Sequence, residues 1–214
     1  MTSTATLLAA TSLGVWLYLA FARGMFWRLA PFDDDTIEHA APPRWPRVAT
    51  VIPARDEALT ISETISALVR QDYAGEFSVL VVDDHSEDDT SRIAHQSAKL
   101  HRAESRVKTQ PAPPLPPGWT GKLSALNEGV RLEAQQTPEF YWFTDADVVH
   151  APGTLRRLVA RAEQDRLDLV SLMVLLQAKT LPERALIPAF LFFFLKLYPP
   201  RWIANPHART AVPH

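Results

Sequence analysis

Val79-Leu80-Val81-Val82-Asp83-Asp84-His85-Ser86 is an apolar, largely β-branched run that ends in two adjacent carboxylates. A second apolar run, Phe140-Tyr141-Trp142-Phe143, leads through Thr144 into Asp145-Ala146-Asp147. Short continuous apolar runs bounded by polar loops read as strands buried on both faces of a parallel sheet. In open α/β sheets, ligands bind outside the carboxyl ends of such strands. Carboxylates spaced as Asp-x-Asp suit a hard divalent cation, Mg²⁺ or Mn²⁺, which prefers oxygen ligands and shares them with substrate phosphates. The two clusters together point to a metal-assisted nucleotide-sugar site.

Outward from these runs, strand and helix signals alternate. Arg47-Val48-Ala49-Thr50-Val51-Ile52, stopped by Pro53, predicts a first strand. Ile61, Ile65, Leu68 and Val69 recur at helical spacing, with Thr60 as N-cap and Glu63 as its capping-box partner. Phe77–Val82 is the second predicted strand, Asp83–Asp89 an acidic loop, and Thr90–His101 a helix. Pro111–Gly118 is a Pro-rich loop, and Leu123, Leu126, Val130 and Leu132 mark the helix after it. Phe140–Phe143 is a third strand, Leu155, Leu158, Val159 and Ala162 mark a helix, and Leu167–Leu176 predicts a further strand. This order implies an α/β fold: a right-handed, mostly parallel sheet with helices on both faces.

Composition narrows the function. The 214 residues carry a net charge of −2 and no long basic run, so there is no electrostatic footprint for nucleic acid. With no cysteine, disulfides, thiolate zinc sites and thiol nucleophiles are excluded. Only 7 glycines are present, and no Gly-x-Gly-x-x-Gly, which argues against a dinucleotide fold or a P-loop. The apolar stretch Ala5–Ala22 reaches roughly 27 Å at about 1.5 Å per residue, close to the hydrocarbon thickness of a bilayer. Arg23 and Arg28 follow it and nothing basic precedes it, so the sequence predicts an anchor in the inner membrane with the domain facing the cytoplasm. A second apolar block, Ala185–Leu195, is too short to span and reads as an interfacial or re-entrant helix, or equally as a core helix. The expected organisation is an anchor over 1–30, a linker over 31–46, a nucleotide-sugar-binding domain over 47–180, and an apolar membrane-proximal segment over 181–214.

Candidate site residues sit in the loops. Pro53-Ala54-Arg55-Asp56-Glu57 leaves the first strand at the binding edge and can offer backbone groups and a carboxylate to a base and ribose. Adjacent carboxylates at a strand end cannot both point the same way. Asp84 is therefore taken as the nucleotide contact, and Asp83 is left to hold the loop. Asp145 and Asp147 repel unless a cation neutralises them. Gly118-Trp119-Thr120-Gly121-Lys122 allows a tight loop and offers Lys122 as a point positive charge to a diphosphate.

In this order the motifs resemble an inverting family-2 glycosyltransferase. They are Val51-Ile52-Pro53-Ala54-Arg55-Asp56-Glu57, Val81-Val82-Asp83-Asp84-His85-Ser86, Gly121-Lys122 with Ala125-Leu126-Asn127-Glu128-Gly129, and Thr144-Asp145-Ala146-Asp147. The Pro-Pro-Gly-Trp-Thr-Gly-Lys stretch, the N-terminal anchor and Phe192-Phe193-Phe194 through Tyr198-Pro199-Pro200-Arg201-Trp202 more narrowly resemble hopanoid-associated glycosyltransferases. The resemblance implies a glycosyltransferase A-type, Rossmann-like sheet, a nucleotide-diphosphate sugar donor (a UDP-sugar in the first instance), a divalent cation, and a membrane lipid acceptor. It implies a nucleoside pocket lined by Ala54, Glu57 and Asp84, a metal and donor ribose served by Asp145 and Asp147, and Lys122 on the diphosphate side. The family's general base is expected beyond residue 214, so this chain is expected to be an N-terminal portion. Two other readings stay open: a polyprenyl-phosphate glycosyltransferase, and a non-catalytic membrane-anchored nucleotide-binding remnant.

Overall fold

The computed structural model describes residues 2–28 and 40–203. The Asp33-Asp34-Asp35 stretch of the predicted linker and the chain from Ala204 onward lie outside the described residues. The described residues fall into two compact units, one of 40–171 and one of 2–28 with 172–203.

In the first unit, the β-branched runs form strands because both of their faces can be covered. β1 (Val48–Ala54) lies between β2 (Phe77–Asp83) and β4 (Phe140–Phe143), and β3 (Val107–Pro111) flanks β2. The order is β3-β2-β1-β4 and every pairing is parallel, with Val51 opposite both Leu80 and Phe143, and Ala54 opposite Asp83. On one face Val48, Ile52, Val79, Val81 and Trp142 pack against Ile61, Ile65 and Leu68 of α2 (Ile61–Val69). Ala94 and Ala98 of α3 (Thr90–Leu100) and Leu155 and Val159 of α5 (Thr154–Asp165) complete that layer. On the other face Val51, Leu80 and Val82 meet Ala125, Leu126 and Leu132 of α4 (Gly121–Glu133). The chain changes direction across the sheet between β1 and β4, the topological switch point where such sheets bind ligands.

The helix α4 packs close against β1 because its contact residues are small. Gly121, Ala125 and Gly129 recur every fourth residue, which keeps them near one side of the helix. A Cβ at Gly129 would overlap the Val51 side chain, so only glycine allows this approach.

Three local readings change. β3 escapes the hydrophobic pattern because it is an edge strand with a single buried residue, Val107, and it ends on Pro111, which an edge tolerates. Leu167–Leu176 forms no strand. Its residues 167–170 run irregularly beside β4, lining with Phe140, Tyr141 and Trp142 a narrow cleft of about 90 Å³. They make no ladder there, and apolar, β-branched composition alone does not supply one. Thr60 stands at the N-cap of α2 without capping it; its hydroxyl donates instead to the Glu57 carboxylate, 2.7 Å away. The capping box occurs at Thr180 and Glu183, at the start of α6 (Leu181–Leu197).

In the second unit, α1 (Thr2–Leu17) continues through a π-helical turn, Tyr18–Ala22. Together Ser3–Ala22 make a helix long and apolar enough to cross a membrane, with none of it buried inside the protein.

Thr50, in the middle of β1, is fully buried, and its hydroxyl has no hydrogen-bond partner among the described residues. A buried unmade hydrogen bond costs about 1–3 kcal/mol. Thr50→Val keeps the shape and removes that cost. Chemical denaturation should show it more stable by about 1 kcal/mol, and a destabilised variant would mean that the hydroxyl is satisfied.

Candidate functional site

The loops after β1 and β2 are laced into one body by short polar side chains. Asp56 donates its amide to Ser86 Oγ (3.0 Å), and its carboxylate accepts from the Glu87 amide (2.8 Å). Glu57 donates its amide to Thr90 Oγ1 (2.8 Å), and Ala58 donates to the Asp88 carboxylate (3.0 Å). Asp56 and His85 both adopt the left-handed conformation, with φ of 55° and 59°. Aspartate and histidine tolerate it better than most residues, which lets each strand turn sharply at its end. The run of acidic residues from Asp83 to Asp89 is thus largely a scaffold.

Asp83 and Asp84 divide the work. Asp83 accepts from the Ser86 amide (2.9 Å) and from the Ser91 hydroxyl (2.5 Å). Burial pushes its carboxyl up, but these hydrogen bonds outweigh burial and hold it below the usual carboxylate range. Asp84 points the other way, with its side chain only 11% exposed, and its carboxylate lies against the first residue of α4. A Cβ at Gly121 would overlap Asp84 Oδ2, so glycine is required here by close approach. The amino end of a helix carries partial positive charge and unsatisfied N–H groups, a favourable setting for a carboxylate. The Arg55 guanidinium stands 3.8 Å from the same carboxylate.

The Asp145-Ala146-Asp147 loop is held by its middle residue. Ala146 is buried in the core, and its carbonyl accepts from the Thr64 hydroxyl of α2 (2.8 Å). Thr144 hydrogen-bonds to His150 Nε2 (2.7 Å), and the His150 ring packs 4.7 Å from Trp142. Burial pushes the His150 imidazole below its ordinary value, which favours the neutral ring beside Trp142. With Ala146 pinned inward, Asp145 and Asp147 are both exposed. Asp145 pairs with the Lys122 ammonium at 2.6 Å.

The residues singled out in the sequence therefore occupy one edge. Asp84 touches Gly121, Lys122 follows Gly121, and Lys122 reaches Asp145, which links the ends of β2, α4 and β4. Arg55 joins through Asp84. Pro53 and Ala54 are the last residues of β1, Ala54 being buried, and Glu57 has its carboxylate engaged by Thr60. Asp147 stands on the same loop as Asp145. Sequence reasoning missed the braces: Thr64, Asp88, Thr90, Ser91 and His150 carry no motif, and Ser86, though it closes the second motif, shows its bracing role only by its contacts. A separate cleft of about 500 Å³ opens at the opposite, amino-terminal edge of the sheet, among Arg47, Tyr73, Phe77, Arg106 and Gln136. Arg47 is paired there with Glu76, and Arg106 is stacked over Phe77 at 4.7 Å.

The sequence pattern of glycosyl transferase family 2 matches residues 50–194. The chain belongs to that family. Its match begins within β1 and takes in the loops after β1, β2 and β4 and the start of α4. Among curated relatives, the probable glycosyltransferase YdaM of Bacillus subtilis is 33% identical over 45% of this chain and 26% of its own length. Among solved structures, the mannosyltransferase PcManGT from Pyrobaculum calidifontis, in complex with GDP-Man and Mn²⁺, superposes with a TM-score of 0.54. It is 28% identical, over 75% of this chain and 43% of that one. S. aureus TarS is 25% identical over 62% of this chain and 23% of its own, with a TM-score of 0.46. The chain thus spans less than half the length of each of these proteins.

The contact between Asp84 and Gly121 can be tested by stability alone. Gly121→Ala forces overpacking, which costs about 1–3 kcal/mol. In a double-mutant cycle, Asp84→Ala should recover most of that loss, because the overlap disappears with the carboxylate. Strictly additive effects would place Asp84 away from the helix.

Proposed function

We propose that this chain binds the nucleoside-diphosphate sugar donor of a family-2 glycosyltransferase at the carboxyl edge of its sheet, for transfer to a membrane lipid. The observation that carries the proposal is the convergence of Asp84, Gly121, Lys122 and Asp145 at the topological switch point. Two strand ends and one helix end there place carboxylates and an ammonium within reach of one ligand. The structural likeness to a mannosyltransferase that holds GDP-Man and Mn²⁺ supports the same reading.

The roles follow from chemistry. Asp84, backed by the amino end of α4, accepts from a base N–H or a ribose hydroxyl. Pro53, Ala54, Arg55 and Glu57 form the neighbouring wall. Lys122 faces the diphosphate as a point charge. Asp145 and Asp147 would hold Mg²⁺ or Mn²⁺, with Asp145 also near the donor ribose. Among the described residues, no group of three or more His, Cys, Asp or Glu side chains is gathered for a metal. Two carboxylates nevertheless fit a hard cation that completes its shell with diphosphate oxygens and water. The Lys122 ammonium 2.6 Å from Asp145 supports reading this carboxylate as one that takes a cation. When bound, the metal ion supplies charge neutralisation to the leaving diphosphate. The protein's own task is to hold the donor in line for attack at the anomeric carbon by an acceptor hydroxyl.

The acceptor belongs to the membrane in this reading. Ser3–Ala22 anchors the chain, with Arg23 and Arg28 on the cytoplasmic side. The hopanoid class of lipid is the one to which the sequence resemblance points.

Calorimetric titration with Mn²⁺ and either UDP or GDP tests the assignment. Asp145→Asn and Asp147→Asn should each weaken metal-dependent nucleotide binding by at least about tenfold, or about 1.4 kcal/mol. Lys122→Gln should separate the two ligands. Mn²⁺ alone should bind a few-fold more tightly, since an exposed ion pair of about 0–1 kcal/mol no longer competes. Nucleoside diphosphate should bind more weakly. Unchanged binding in the aspartate variants would reject the site.

A further inference from the structure

We propose that α6 lies in the plane of the bilayer, immersed just beneath the lipid headgroups. Its carboxyl end shares the level at which α1 leaves the hydrocarbon. The inference rests on reading α1 as a membrane span and adds a second, differently oriented lipid contact.

The surface of α6 fits neither water nor a protein core. Leu181, Leu186, Phe190, Phe193 and Leu197 are all more than half exposed, and Leu195 is the one residue of the helix that is buried. A helix that is apolar all round needs an apolar surrounding. Its uncharged stretch from Ala185 to Leu195 reaches roughly 16 Å at about 1.5 Å per residue, about half the hydrocarbon thickness. Glu183 and Arg184 precede that stretch and Lys196 closes it. Charges at both ends avoid the bilayer interior, so both ends must stay at one interface. The axis then runs along the membrane, with the longer charged side chains reaching up to the headgroups.

The contacts between α6 and the segment after α1 tie the helix to the end of the proposed span. Arg23, the first charged residue after the apolar run of α1, donates to the carbonyls of Lys196 (3.1 Å) and Leu197 (3.3 Å). It thereby caps the carboxyl end of α6, where orphan carbonyls and the helix dipole favour a cation. Its guanidinium also stacks over Trp202 at 4.7 Å. Phe26 is buried and meets Phe192 edge-on at 5.2 Å. The end of the span and the end of α6 are therefore joined. Trp27, Arg28, Lys196, Tyr198, Arg201 and Trp202 belong to these same segments, a composition typical of the membrane–water interface.

Because the chain has no cysteine, single-cysteine variants report depth directly. Leu186, Phe190 and Phe193, at helical spacing on one face, and Leu8 in α1 would each carry a nitroxide on the full chain. The probe is a nanodisc of phosphatidylcholine and phosphatidylglycerol, with depth read from accessibility to oxygen against a nickel chelate. The three α6 labels should sit at nearly equal depth, about 5–10 Å below the headgroups, with Leu8 deep in the bilayer. A steady change of about 10 Å between Leu186 and Phe193 would mean end-on insertion and overturn the proposal. Aqueous accessibility at all three, with Leu8 in lipid, would overturn it while leaving the anchor intact. Leu8 outside lipid would overturn the anchor and the proposal with it.

Discussion

The Asp84 carboxylate fills the space that a Cβ at the first residue of α4 would take, and glycine at 121 is what lets both be there. This approach brings the amino end of α4 over the carboxyl edge of the sheet. Lys122 is the next residue, so its reach to Asp145 follows from where Gly121 is fixed. Farther along the same helix, Gly129 seats α4 against Val51 in the same way. The glycines of α4 thus act as spacers, bringing the helix end close to two carboxylate-bearing loops.

Around that contact, charge is arranged so that no carboxylate is left both buried and alone. Asp83 spends its acceptors on Ser86 and Ser91, Asp88 takes Thr90 and Ala58, and Asp56 ties the first loop to the second. Asp84 keeps an oxygen facing the helix and Arg55. Asp145 and Asp147 stay exposed because Ala146 between them is held inward by Thr64. The result is a rigid edge whose remaining acidic groups face outward, suited to a ligand that brings its own cation and donors.

Much of this edge was legible in the sequence. β2 and β4 end within a residue of where their apolar runs stop, whereas Pro53 does not stop β1, which stays paired with β2 through Ala54. The spacing of Ile61, Ile65 and Leu68 and that of Leu155 and Val159 marked the helices that cover one face. What the pattern hid has physical causes. β3 is a polar edge strand held by its backbone ladder, and a ladder leaves no trace in hydrophobic periodicity. Leu167–Leu176 has strand-like composition but joins no strand of the sheet. The acidic loop reads as solvated until Ser86, Ser91 and Thr90 are seen to hydrogen-bond its carboxylates, because which hydroxyl meets which carboxylate is set by the fold. Lys122 and Asp145 were each visible as candidates, yet only the fold shows that they meet.

The most direct measurement is anomalous scattering from crystals of the full chain grown with Mn²⁺ and a nucleoside diphosphate. The account predicts a single strong manganese peak between Asp145 and Asp147, with nucleotide density running past Lys122 toward Asp84. Manganese or nucleotide at the opposite edge, among Arg47, Tyr73 and Arg106, with the Asp145 loop empty, would contradict it.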